Sequence, residues 1–90
     1  MSFYPSVQVA ANDNGIPYDV VYDNSGPLNQ VLYEGAAYPG TSNAAGQAKW
    51  RIKKFLYDGS NQIYGWRWAD GSTAFDKDWT LRTGYTYASL

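Results

Sequence analysis

Gln62-Ile63-Tyr64-Gly65-Trp66-Arg67-Trp68-Ala69, followed by Asp70-Gly71, decides the fold class of this ninety-residue chain. Tyr64, Trp66 and Trp68 fall on alternate positions, so an extended strand sends all three rings to one side. Ile63, Gly65 and Arg67 then lie on the other side. On a helix the same spacing would scatter the rings by about 200° per step. Asp58-Gly59-Ser60-Asn61 before the run and Asp70-Gly71 after it are tight-turn sequences of the kind that close hairpins. The run reads as a returning strand.

Its outgoing partner is Lys49–Tyr57. Trp50 and Ile52 share a face by the period of two, whereas Phe55 and Tyr57 have the opposite parity. Either a bulge near Lys53-Lys54 brings both sets to one face, or both faces are partly covered. Upstream, Gln30–Glu34 reads as a strand ended by Gly35, and Pro39-Gly40 is the favoured centre of a type II turn. Residues 43–47 are small and polar, and read as a loop. Downstream, Ser72–Phe75 reads as a short strand and Asp76 as the cap of a brief helical turn that drops Trp79 onto the sheet. Thr83–Tyr87 reads as the last strand, and Trp50 and Trp79 as core residues.

Before residue 30 the signals are weaker. Ser6–Ala10 and Tyr18–Tyr22 are β-prone, with turn residues at Asn12–Gly15 and a stop at Asp23–Pro27. The chain therefore divides into an extended arm or edge strands, residues 1–30, and an aromatic-cored β domain, residues 31–90, which is expected to fold by itself. The expected class is all-β: a small antiparallel β-sandwich or partly open barrel built from hairpins, with at most one short helical turn.

Composition removes several function classes. The chain has no cysteine and no histidine. Ordinary zinc sites and Ser-His or Cys-His nucleophilic arrangements need one or both. Seven basic and eight acidic residues leave a formal charge of −1, a poor footprint for general nucleic-acid binding. No apolar run is long enough to span a bilayer, and Met1-Ser2-Phe3-Tyr4-Pro5 lacks the pattern of a signal peptide. Aromatic residues make up 18% of the chain, which gives so short a sequence enough apolar area for a core.

The charged clusters have simple readings. Lys49, Arg51, Lys53 and Lys54, interleaved with Trp50 and Phe55, form the one basic cluster, and alternation of this kind describes a half-buried strand with a solvated face. Asp58, Asp70, Asp76 and Asp78 match no standard calcium loop and suit turn and cap duty. Tyr64, Trp66 and Trp68 have the spacing of a sugar-binding platform, but are expected to serve mainly as core. No catalytic, cofactor or metal residue emerges.

Ala37-Tyr38-Pro39-Gly40-Thr41, Trp50-Arg51-Ile52-Lys53, Trp68-Ala69-Asp70-Gly71, Phe75-Asp76, Trp79, Arg82 and Tyr87 together resemble short proteins encoded among the virion genes of tailed bacteriophages. The resemblance implies a non-enzymatic structural role without cofactors: decorating or cementing the head, or forming part of a tail or fibre. It also implies other virion proteins as partners, homo-oligomers in the particle, and synthesis in the bacterial cytoplasm. Nucleic acid and membrane are not expected partners. The candidate contact residues are Tyr4, Tyr18 and Tyr22 of the arm, with Arg51 and Lys53 of the basic strand. A carbohydrate-binding module using Trp66 and Trp68 is the alternative.

Overall fold

The structure is a computed structural model that describes residues 7–10, as backbone, and residues 18–88. Its strands are β1 (Val7–Ala10), β2 (Tyr18–Asp23), β3 (Tyr33–Ala37), β4 (Ala48–Tyr57), β5 (Ile63–Trp68) and β6 (Lys77–Asp78). Strands β1 to β5 form an antiparallel meander in sequence order, and β6 pairs with the start of β4. The all-β antiparallel class is thus the observed one. The sheet is not closed, and among the described residues no second sheet faces it. Helix among the described residues is confined to three short 3₁₀ segments, Pro27–Asn29, Ala69–Gly71 and Trp79–Gly84, rather than one.

Turn chemistry sets the register. The Asp58 carboxylate accepts from the Ser60 amide at 2.8 Å and the Gln62 amide at 3.0 Å, while Asn61 takes a left-handed φ of 61°. Asn tolerates that conformation better than most side chains, so the hairpin closes as the sequence suggests. Gly40 at φ 87°, with the Thr41 amide donating to the Tyr38 carbonyl at 3.2 Å, makes the expected Pro-Gly turn.

Strand β4 contains no bulge at Lys53-Lys54. Its pairing with β3 runs unbroken from Arg51 opposite Ala36 to Lys54 opposite Tyr33. The irregularity lies further on: Leu56 pairs with Gly65 and Tyr57 with Ile63, so Tyr64 is the extra residue on β5. Trp50 and Ile52 therefore face one side of the sheet, and Phe55 faces the other.

The core forms on the Trp50 side. Val21, Tyr33, Ala37, Trp50, Ile52, Ala69 and Trp79 make one buried cluster, with Leu32, Tyr85 and Tyr87 packed against it. The second layer consists of the Trp79–Gly84 segment and the chain after it. Asp78, not Asp76, caps this segment: its Oδ1 accepts from the Thr80 amide at 2.9 Å, and its Oδ2 accepts from the Gly46 amide at 2.8 Å. Asp76 instead pairs with Lys77 at 2.5 Å. Residues 72–75 and 83–87 form no strand. Tyr85 and Tyr87 alternate as a strand would, but their rings lie on the core without a partner strand beside them.

Gly35, expected to end a strand, sits in the middle of β3. A Cβ there would lie 2.7 Å and 2.9 Å from two carbons of the Trp79 ring. The missing side chain lets that ring rest on the sheet. Gly35→Ala is expected to destabilise the protein by about 1–3 kcal/mol through overpacking. Thermal melting of the variant beside wild type checks this, and an unchanged melting temperature would contradict it.

Arg82 ties the second layer down. Its Nε donates to Asp23 of β2 at 2.6 Å, and its guanidinium lies 4.6 Å from the Trp79 ring centroid. Burial by itself would raise the Asp23 pKa, but hydrogen bonds from Arg82 and Ser25 outweigh it and hold the carboxyl below its ordinary value. Thr80, and then Gly46, hold the Asp78 carboxyl low as well. Depressed carboxyls add stability that is present above their unfolded-state value and is lost as pH falls through the folded one. The melting temperature is therefore expected to hold from neutral pH downward and to fall once pH drops below 3.8. Asp23→Asn is expected to flatten part of that slope. Melts across an acid series, wild type beside variant, test it.

Candidate interaction face

Among the described residues, the side of the sheet away from the core cluster is covered only in part, with Val20 3% and Trp66 48% exposed, and its residues follow from the register. Strand β2 contributes Tyr18, Val20 and Tyr22; β3 contributes Glu34 and Ala36; β4 contributes Arg51, Lys53 and Phe55. On β5, Trp68 lies opposite Lys53 and Trp66 opposite Phe55. Tyr38 and Phe75 fold over the corner next to Tyr18, with ring centroids 4.9–5.5 Å apart.

Two cations stand among these rings. The Arg51 guanidinium is 5.0 Å from the Tyr18 centroid, 4.8 Å from Phe75 and 5.6 Å from Trp68. Its Nε is buried without a hydrogen-bond partner, and among the described residues no carboxylate pairs with it. Lys53 lies 4.7 Å from the Trp66 ring and 5.4 Å from Trp68, and its ammonium is 3.0 Å from Glu34. Burial first, and then the Glu34 carboxylate, push the Tyr22 hydroxyl above its ordinary pKa. Lys53 is thus neutralised locally, whereas no described carboxylate neutralises Arg51. Ring faces carry negative partial charge, which stabilises both cations where water is partly excluded.

Four of the five candidate contact residues, Tyr18, Tyr22, Arg51 and Lys53, come together on this one face. Tyr4 lies outside the described residues. Trp66 and Trp68 are here too and not in the core cluster, against the expectation from their spacing. Trp66 is 48% exposed, and Tyr64, at the bulge, is 66% exposed. Sequence reasoning set Phe55 beside the basic cluster but missed Glu34, Tyr38 and Phe75 as members of this face. Counting back from the Asp58–Asn61 turn pairs Phe55 with Tyr64 or Gly65, and only the bulge at Tyr64 moves Phe55 opposite Trp66. Phe75 lies between two irregular segments, and no periodicity marks it.

Elsewhere a shallow hollow runs along Thr80, Leu81, Thr83, Gly84 and Tyr85, none of them charged. Among the described residues, no group of three or more Asp or Glu gathers as a metal site, and no helix is long and apolar enough to cross a membrane. Comparison with protein-family models, with curated proteins and with solved structures finds no match for this chain.

Proposed function

We propose that this chain is a non-enzymatic structural subunit of a tailed-phage virion, seated on neighbouring virion proteins through the sheet face away from the core. The observation that carries this reading is the composition of that face. Tyr18, Tyr22, Arg51, Trp66 and Trp68 belong to the residue types that supply most of the energy in protein interfaces. Displayed on a rigid sheet, they lose little conformational freedom on docking. The protein decorates the head or joins a tail or fibre as repeated copies, after synthesis in the bacterial cytoplasm. Its partners are other virion proteins, not nucleic acid or membrane.

Mass spectrometry of purified particles, from the phage whose genome encodes the chain, tests the proposal. The chain is expected in fixed stoichiometry after high-salt washing, and its absence from particles overturns the reading. An Arg51→Glu, Lys53→Glu double variant is expected to melt as a folded protein yet be missing from particles.

A second reading is favoured by one observation: Trp66 and Trp68 stand on the open face, and Trp66 is half exposed. Ring faces at alternate strand positions suit stacking against the C–H faces of sugar rings. In this reading the domain is a carbohydrate-binding module. Calorimetric titration with glycans tests it, with Trp66→Ala expected to abolish any heat of binding.

A further inference from the structure

We infer that Arg51 reads a carboxylate on a bound sugar, so that the ligand of the open face is an acidic oligosaccharide of the uronate or sialate class. The inference rests on the carbohydrate reading and adds the chemistry that reading leaves open. Arg51 has its Nε buried and unpartnered, and no carboxylate among the described residues balances its charge. A partly buried cation without a counterion is costly, so a ligand that supplies one gains more than it would from a solvated lysine. The planar guanidinium offers two parallel N–H donors, which match the two oxygens of a carboxylate. Tyr18, Phe75 and Trp68 hold it at 4.8–5.6 Å from their ring centroids, which limits the freedom it has to lose on binding.

The surrounding geometry selects an acidic sugar over other anions. Trp66 and Trp68 are separated by two strand steps, roughly 7 Å, comparable with the length of one sugar unit. A pyranose stacked on exposed Trp66 therefore directs its neighbour toward Trp68, whose ring Arg51 shares. A nucleic-acid strand would bring a phosphate with every nucleotide. Of the two cations on the face, Lys53 is already matched by Glu34 at 3.0 Å, and that carboxylate would repel a second phosphate. The face is built for one anionic group beside ring faces.

The test screens the full chain at low and physiological salt against uronate- and sialate-bearing oligosaccharides, neutral oligosaccharides, and a short oligothymidylate. The best acidic ligand is then compared with its own methyl ester, which keeps the ring and removes the charge. The ester is expected to bind at least about tenfold more weakly, the loss of one charge-assisted pair. Arg51→Met is expected to bind acid and ester alike, whereas Trp66→Ala loses both. The acid–ester comparison needs no variant, so it stands even if Arg51→Met folds poorly. Equal affinity for acid and ester overturns the role of Arg51 and leaves the carbohydrate reading intact. No binding of any glycan overturns both. Oligothymidylate bound more tightly than every acidic glycan at physiological salt overturns the ligand class.

Discussion

Trp50→Ala is expected to cost about 3–5 kcal/mol, the range for losing a fully buried aromatic ring from a core. That is a large share of the roughly 5–15 kcal/mol that stabilises an ordinary domain. Trp50 is 1% exposed, lies 6.5 Å from the Trp79 ring centroid, and donates its indole N–H to the Ser42 carbonyl at 2.9 Å. Alanine leaves a cavity under the second layer and removes the donor that anchors the loop before β4. Trp50→Phe refills much of the cavity but still lacks the donor, and should cost less. Urea denaturation gives both numbers from midpoint and slope. A loss below about 1 kcal/mol for the alanine variant would place the ring outside the core.

Deleting residues 1–30 is expected to abolish cooperative melting. Composition suggests the opposite, since most of the aromatic residues and tight turns lie beyond that point. The packing decides it. Val20 and Val21 of β2 are 3% and 2% exposed, Val21 belongs to the core cluster, and Asp23 anchors Arg82 of the second layer. Without β2 the inner edge of β3 also loses its partner, and its backbone groups are left to water. Circular dichroism and calorimetry of a chain beginning at residue 31 check the result. A sharp, reversible transition close to that of the full chain would show that residues 31–90 hold a core of their own. A chain beginning at Tyr18 keeps β2 and is expected to retain most of the stability.

Local signals in the sequence identified the strands up to Trp68 well, but the chain beyond Trp68 and the layers poorly, for a physical reason. The alternation of Tyr64, Trp66 and Trp68, and the Asp58–Asn61 turn, depend on neighbouring residues alone, so they are readable in a single chain. Period two sorts Trp50 and Ile52 from Phe55, but does not say which set receives the covering layer. That choice is made after Asp78, where the chain turns into a 3₁₀ segment and lays Trp79 over Gly35. Thr83–Tyr87 shows the same limit: its alternating tyrosines satisfy a strand pattern, yet no partner strand is placed beside them. Gly35 looks like a strand end until the distant ring that needs its empty space is known. The contact face was half legible. Basic residues alternating along β4 marked Arg51 and Lys53, but their neighbours Tyr18 and Phe75 arrive from far away in the chain.

The four tryptophans divide evenly between the two sides of the sheet, Trp50 and Trp79 inward, Trp66 and Trp68 outward. The protein thereby carries two optical reporters in one chain. The inward pair should emit to the blue and be shielded from iodide, and exposed Trp66 should emit to the red and be quenched by it. A molecule settling on the open face changes the accessible component and leaves the shielded one alone. Unfolding moves the shielded component toward the red. One quenching titration on unlabelled protein therefore separates occupancy of the face from loss of the core.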